Sequence, residues 1–332
     1  MKKLVEVILI ILLCVGCTPN KESVSTKEEI INNIISYDNN YDYDFLNYIY
    51  NNYGINTLEN INTSYKNNTY SYNMWHDLTG NSLKALKDLS NNNLDNTKII
   101  NKKGDITLSF VGDISLADNF DIMPYYDSRN EGVYGILSKE VVDIMNSSDI
   151  MVANNEFTIS TRGTPLNKTY TFRADPKRLN IYKEMGVNLV SLANNHIYDY
   201  GIEAFNDTLK YLKEYDIPFV GAGHNISEAK KSFSYIVGGY KISFISSTRA
   251  EKNIITPGAT ETTPGVFRCY DNTLLKETIK EVKEKSDYVV LLIHWGKEDS
   301  HELEEVIKVT GKEYIDEGAD LIVGSHAHLL QG

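Results

Sequence analysis

Several features are scarce in this 332-residue sequence, and each scarcity excludes a class of protein. Only three cysteines are present, too few for the disulfide framework of a small secreted domain. The 33 Lys and Arg residues are outnumbered by 45 Asp and Glu and are scattered, so no basic patch indicates a nucleic-acid partner. The apolar run at the N-terminus is shorter than the roughly 20 residues of a membrane-spanning helix. The hydrophobic fraction of 42% nevertheless excludes wholesale disorder.

The first 17 residues are similar to a bacterial lipoprotein signal peptide. A positively charged start precedes about 12 apolar residues, Leu4 to Val15. Gly16-Cys17 then resembles the lipobox, although Cys14 stands where that pattern usually has Leu. An ordinary secretory signal or an anchor helix is the alternative. We therefore predict a lipid anchor on Cys17 at the extracytoplasmic face of the cell membrane. Cleavage before Cys17 would leave Cys269 alone, without an intramolecular disulfide.

The rest of the chain divides by composition into three regions. Residues 18–35 are polar and suit a tether. Residues 36–103 are rich in Asn and Tyr and are interpreted as an accessory region, in which residues 74–89 favour a helix that Asn81 could cap. From residue 104 onward, apolar strands alternate with helical stretches, and several strands lack strict apolar–polar alternation. Residues 104–332 are therefore predicted to form an α/β domain with a partly parallel sheet buried on both faces.

Polar residues that suit metal binding follow the apolar strands. They are Asp113, Asn154, Glu156, Asn195, His196, His294, His326 and His328. A single Asp after a strand usually belongs to a turn or a helix cap. In open α/β sheets, however, ligands bind outside the carboxyl ends of the strands, so five strand ends could direct these side chains to one place. The combination therefore indicates a site.

The residue types in this set favour a particular kind of metal. Carboxylates can bridge two cations, and amide oxygens and neutral imidazoles complete a mixed oxygen and nitrogen ligand set. No cysteine belongs to the set, which argues against a closed structural zinc site. We predict one or two divalent transition-metal ions, namely manganese, iron or zinc. A pair of ions would lower the pKa of a bridging water and stabilise the oxygens of a displacement.

The motifs around these residues resemble the CapA family. They are "GD" (112–113), "ANNE" (153–156), "LANNHIYDYG" (192–201), "HWGKE" (294–298) and "GSHAHLLQ" (324–331). This family is associated with bacterial capsule and poly-γ-glutamate synthesis and is similar to the calcineurin-like metallophosphoesterases. The resemblance implies a metallophosphatase-like layered sandwich with its metal site at the carboxyl ends of strands. It also implies further strands beyond residue 332, so we expect the chain to be truncated at its C-terminus.

The resemblance further implies a role for each residue at a matching motif position. The first metal would be bound by Asp113 and His328, the second by Asn195, His294 and His326, with Glu156 bridging both. His196 would stabilise the transition state or protonate the leaving group. The expected supporting residues are Asn154 and Glu298, which would orient ligands, and Arg173 in "YTFRADP", a candidate anion clamp whose alternative is a surface ion pair.

Two positions depart from the pattern of the related phosphoesterases: the bridging carboxylate is Glu156 rather than an Asp, and residue 115 is not a His. Those enzymes usually carry a His two residues after the first Asp, whereas this chain has Ser115. The first metal therefore lacks a strong nitrogen ligand and is expected to bind more weakly than the second.

The function implied by the resemblance is synthesis, release or anchoring of an anionic surface polymer. The partners would be the membrane, the polymer and a membrane polymer-synthase complex, and the metal site would hydrolyse or transfer amide or phosphate groups. A general surface metallophosphoesterase and a non-catalytic, metal-dependent scaffold subunit are the alternatives, because a fold does not decide among them.

Overall fold

The computed structural model describes residues 25–251 and 255–331. The predicted signal peptide, Cys17 and residues 18–24 lie outside this range. The chain divides after Tyr70 into two compact units. Within the described residues, none of the helices is both long enough and apolar enough to cross a lipid bilayer.

Within its described residues, 25–70, the first unit contains three helices, α1 (Lys27–Tyr37), α2 (Tyr43–Tyr53) and α3 (Ile55–Lys66). Helix α1 begins with a capping box, in which Thr26 Oγ1 accepts from the Glu29 amide and the Glu29 carboxylate accepts from the Thr26 amide. Ile30 and Ile34, four positions apart, are buried on one face of α1. Residues 27–35 are therefore helical, which corrects the predicted tether over that range, because their apolar spacing allows them to pack.

The second unit contains the remaining helices and all strands of the described residues. Its helices are α4 (Met74–Thr79), α5 (Leu83–Ser90), α6 (Ile122–Arg129), α7 (Lys139–Ser147), α8 (Leu179–Glu184), α9 (Gly201–Glu214), α10 (Ile226–Ala229), α11 (Thr273–Lys285) and α12 (Glu305–Asp316). Its strands are β1 (Thr97–Ile100), β2 (Leu108–Ile114), β3 (Ile150–Asn155), β4 (Thr158–Ile159), β5 (Arg173–Ala174), β6 (Leu189–Ser191), β7 (Phe219–Val220), β8 (Ala222–Gly223), β9 (Phe233–Val237), β10 (Tyr240–Thr248), β11 (Gly265–Val266), β12 (Tyr288–His294) and β13 (Leu321–Ser325).

Two sheets form the centre of this unit. One has the order β2-β3-β6-β7 and is parallel throughout, and the other has the order β1-β9-β10-β12-β13 with only β9 and β10 antiparallel. One apolar cluster is shared by the facing sides of both sheets. Helices α7, α8 and α9 cover the outer side of the first sheet, and α11 and α12 cover that of the second. This arrangement confirms the predicted α/β layered sandwich.

Side-chain alternation along the strands explains which residues reach the space between the sheets. In β12, Val290 and Leu292 belong to the cluster between the sheets, whereas Val289 and Leu291 face the helices. With a period of two, His294 at the end of β12 lies on the inner side. The same alternation in β3, where Val152 is on the inner side, places Asn154 there as well.

The predicted accessory region ends earlier than residue 103. Strand β1 pairs in register with β9, and the Ser82 amide donates to the Gly239 carbonyl at 2.8 Å. Residues 71–103 therefore belong to the α/β unit. The helix predicted within residues 74–89 is α5, but Ser82 rather than Asn81 caps it, since the Ser82 hydroxyl accepts from the Ala85 amide at 3.1 Å.

A glycine at the β9–β10 turn provides a test of this boundary. Gly239 has φ +81°, and a Cβ there would meet the Gly80 carbonyl oxygen. Gly104 has nearly the same φ, +84°, but a Cβ added there would have no heavy atom within 4 Å. We expect Gly104→Ala to lower the free energy of unfolding by about 1 kcal/mol, from φ strain alone, and Gly239→Ala by roughly 3 kcal/mol or more. Urea unfolding of both variants measures the difference, and equal losses would contradict the close packing of Gly239 on Gly80.

Candidate metal centre

An irregularity in β2 directs Asp113 toward the space between the sheets. Phe110 pairs with Val152 and Asp113 pairs with Asn154, so three steps on β2 oppose two on β3. The extra residue reverses the alternation, and Asp113 lies on the same side as Asn154. The Asn154 amide donates to Asp113 Oδ1 at 2.7 Å, which fixes this carboxylate.

Strand β3 leads to the more buried of the two predicted carboxylate ligands. Glu156 follows the strand directly, and its side chain is only 7% exposed. Its Oε1 lies 3.6 Å from His294 Nε2 and 4.0 Å from His196 Nε2. Asn194 donates to Asn154 Oδ1 at 3.1 Å and to the Asn155 carbonyl at 2.8 Å, so the loop after β6 is anchored to the end of β3.

His294 is held from both sides at the carboxyl end of β12. Its Nε2 lies 2.8 Å from Asn195 Oδ1, and its Nδ1 lies 2.8 Å from Ser325 Oγ. Because an amide oxygen only accepts, Nε2 donates in this arrangement. The imidazole is buried, and Asn195, predicted to share its metal, is in direct contact with it.

The loop after β13 brings the last two histidines to the same place. The His326 amide donates to Asp113 Oδ2 at 3.1 Å, across 213 positions of the sequence. His326 and His328 have φ of +93° and +57°, values that non-glycine residues adopt rarely and often at functional sites. Glu298 Oε1 lies 3.9 Å from His326 Nδ1 and stands at the rim, half exposed.

Two sets of three side chains have the geometry to hold an ion. Glu156, His294 and His326 form a buried set, and Asp113, Glu156 and His328 form a more open one, with the ligand atoms of each set within 4.8 Å of one another. Glu156 belongs to both. The carboxylates and histidines of each set are those that the resemblance assigns to one ion, and the number of ions stays a prediction.

Burial determines the protonation of the central ligands. It raises the pKa of Glu156 to about 9, and the nearby Asp113 carboxylate adds to this effect. Burial also lowers the pKa of His294 well below its ordinary value, and the neighbouring His326 lowers it further. The pKa of His326 itself is lowered by burial. The imidazoles are therefore neutral, the form that binds metal, and a cation would replace the proton of Glu156.

The donor set fits a transition-metal ion. His326 Nδ1 is buried and has no hydrogen-bond partner among the described residues, and buried polar atoms are rarely left in that state. Ser115 Oγ, two positions after Asp113, is in the same condition. An unprotonated imidazole nitrogen that accepts no hydrogen bond has a free lone pair with which to bind a metal ion. The mixture of nitrogen and carboxylate oxygen suits manganese, iron or zinc.

His196 stands beside the two ligand sets rather than within them. Its Nδ1 lies 2.6 Å from Asp199 Oδ2, and because a carboxylate only accepts, Nδ1 donates and Nε2 faces the Glu156 side. Asp199 and Asn194 are not among the site residues predicted from the sequence. A His-x-x-Asp spacing within "NNHIYD" is the signal that could have identified Asp199.

Arg173, the candidate anion clamp, contacts the main chain and an aromatic ring. Its Nη1 donates to the carbonyls of Arg162 and Gly163 at 3.0 and 3.2 Å, and its guanidinium lies over the Tyr200 ring at 4.2 Å. These contacts hold a turn of the main chain. The anion clamp at Arg173 stays a prediction.

Comparison with known proteins gives a consistent result. The sequence model of the family described as "Bacterial capsule synthesis protein PGA_cap" matches residues 107–332. The chain is 30% identical over 229 residues to the PGA biosynthesis protein CapA of Bacillus subtilis, covering 68% of this chain and 58% of that protein. It is 30% identical over 234 residues to the capsule biosynthesis protein CapA of Bacillus anthracis, with 68% and 55% covered. A probable polyglutamine synthesis accessory protein of Mycobacterium tuberculosis is 26% identical over 191 residues, with 55% and 50% covered. The chain thus spans about half the length of these relatives, from 50% to 58%.

Proposed function

Because this chain belongs to the bacterial capsule synthesis protein family PGA_cap, we propose that it acts in the synthesis, release or anchoring of an anionic capsule polymer of the poly-γ-glutamate type. The two ligand sets that share Glu156 carry this proposal. The names of the relatives, which refer to capsule, PGA and polyglutamine synthesis, support the polymer. A polymer-synthase complex in the membrane is the proposed partner.

The proposed chemistry is hydrolysis or transfer of an amide or phosphate group. Bound divalent ions would polarise the oxygen of that group and stabilise the charge that develops on it. The ions would be held by six side chains, with Asn154 and Glu298 beside them. The six are Asp113, Glu156, Asn195, His294, His326 and His328. His196 would deliver a proton to the leaving group from Nε2, since Asp199 fixes the ring through Nδ1 at 2.6 Å.

The proposal is tested on the full chain loaded with Mn²⁺. Release of amine from γ-glutamyl oligomers, or transfer of the γ-glutamyl group to an added amine, is the expected result. Release of phosphate from aryl phosphates alone would favour a general phosphoesterase. Stoichiometric binding of metal without any turnover would favour the scaffold function. The observation that supports this alternative is the half-exposed side chain of His328 in the set with Asp113 and Glu156.

The proposed location is the extracytoplasmic face of the cell membrane, through a lipid on Cys17. We expect mass spectrometry of the mature protein from its host to show a diacylglyceryl group on Cys17, because Gly16-Cys17 follows a short apolar run. Cys17→Ser should move the protein from the membrane fraction to the soluble extracytoplasmic fraction. An unmodified N-terminus at another residue would refute the anchor.

A further inference from the structure

A buried lysine beside the site contacts three oxygen groups. The Lys168 side chain is only 9% exposed, and its Nζ lies 3.0 Å from Asp199 Oδ1 and 3.0 Å from Glu251 Oε1. The same Nζ donates to the main-chain carbonyl of Asn195 at 2.5 Å. Two of these groups belong directly to the candidate centre, because Asn195 carries a proposed ligand oxygen and Asp199 orients His196.

The surroundings of Asp199 show what this ammonium does. The Asp199 side chain is completely buried, and it accepts from the Phe172 amide at 2.8 Å and from His196 Nδ1 at 2.6 Å. A buried carboxylate is costly unless it is paired and hydrogen-bonded. Lys168 provides the cationic partner, so the carboxylate stays in place to hold the imidazole.

The Asn195 carbonyl is held from a second direction as well. Thr256 Oγ1 donates to it at 2.9 Å, and the Thr256 amide donates to Glu251 Oε2 at 2.8 Å. Lys168, Thr256 and Glu251 therefore form a closed set of contacts around the main chain of Asn195. Because its main chain is fixed in this way, the Asn195 side chain is directed toward His294, 2.8 Å away.

We propose that Lys168 is a positioning residue of the metal centre, which holds the Asn195 main chain and the Asp199 carboxylate so that Asn195 Oδ1 and His196 Nε2 face the bound ions. The part of this inference that concerns the bound ions rests on the proposed function. The part that concerns the contact between His196 and Asp199 does not. Lys168 lines a cavity of about 590 Å³ that reaches His196, yet its charge is matched by two carboxylates, so it serves geometry rather than capture of an anion.

The test compares Lys168→Met with Lys241→Met in the full chain. Lys241 is a matched control, because its side chain is 11% exposed and forms an ion pair with Asp88 at 2.5 Å. It lies at the start of β10, far from Thr248 at the other end of the strand, which pairs with His294. Calorimetric titration with Mn²⁺ should show binding at least tenfold weaker in Lys168→Met and within twofold of wild type in Lys241→Met. Lys168→Gln, which keeps a donor for the Asn195 carbonyl, should lose less affinity and serves if Lys168→Met does not fold.

A second measurement does not need the metal. In metal-free protein, the His196 Nδ1 proton in its short bond to Asp199 should give a downfield proton resonance, assigned by its loss in His196→Asn. Lys168→Met should lose or broaden this resonance and Lys241→Met should keep it. If wild type bound no Mn²⁺, the proposed function would fail while this resonance still tested Lys168.

Two results would overturn the positioning role. One is a Lys168→Met protein that keeps both the resonance and wild-type Mn²⁺ affinity. The other is full recovery of affinity in Lys168→Met with Glu251→Gln, because the loss would then come from an unpaired Glu251 carboxylate rather than from the Asn195 main chain.

Discussion

Glu156→Gln should abolish binding of both ions and leave the metal-free protein as stable as wild type. The shared carboxylate serves two cations, and an amide carries no charge to offer them. Without metal, burial keeps the pKa of Glu156 at about 9, so the wild-type side chain is protonated at neutral pH and a glutamine resembles it. An ion present at 100 times its dissociation constant stabilises wild type by roughly 2.7 kcal/mol, and this gain should disappear.

Thermal unfolding with Mn²⁺ and with chelator, together with elemental analysis, measures this effect. Glu298→Gln is the control, because Glu298 approaches His326 only to 3.9 Å from an exposed position and should keep most of the metal. The affinity of the wild-type protein for Mn²⁺ should also increase as the pH rises toward 9, since the ion must displace the proton of Glu156. The contribution of Glu156 to this pH dependence should be absent in Glu156→Gln. A Glu156→Gln protein that retained two ions would contradict the assignment.

His196→Asn should keep the metal content and lose turnover by a factor on the order of 100 to 10,000, the usual contribution of a positioned proton donor. His196 Nε2 is 4.0 Å from Glu156 Oε1 and belongs to neither ligand set, so its loss removes a proton rather than a ligand. The assay is whichever release, of amine or of phosphate, wild type catalyses.

His224→Asn is a closely matched control for this variant. His224 Nδ1 also contacts a carboxylate, Glu228, at 2.8 Å, but on an exposed helix start away from the ligand sets. It should retain wild-type turnover. Loss of metal in His196→Asn would show that His196 is a ligand and would reject its role as a proton donor.

Apolar strands without strict alternation predicted an α/β fold with a partly parallel sheet, and the structure shows why in β3, where every residue is buried. The layered sandwich was predicted from the family resemblance. The sequence predicted the meeting of five strand ends because parallel strands end at one edge. The short strands β4, β5 and β11 offered no comparable run of apolar residues and were missed.

Other parts of the site depend on three-dimensional contacts that no local pattern contains. The irregularity between Phe110 and Asp113 reverses the side-chain alternation that the sequence alone implies for β2. Lys168 lies in a loop, and its contacts with Asn195 and Glu251 span 27 and 83 positions of the chain. Arg173 Nη1 likewise contacts two main-chain carbonyls that no local pattern indicates.

Each ligand set draws on both sheets of the sandwich, and this has a consequence for the order of folding events. Asp113 and Glu156 lie at the carboxyl ends of strands of one sheet, whereas His294, His326 and His328 lie at the carboxyl ends of strands of the other. Neither sheet alone carries a complete set, so an ion finds its ligands only after the sheets have docked. The metal would therefore contribute late on the folding pathway, slowing unfolding with little effect on the rate of folding.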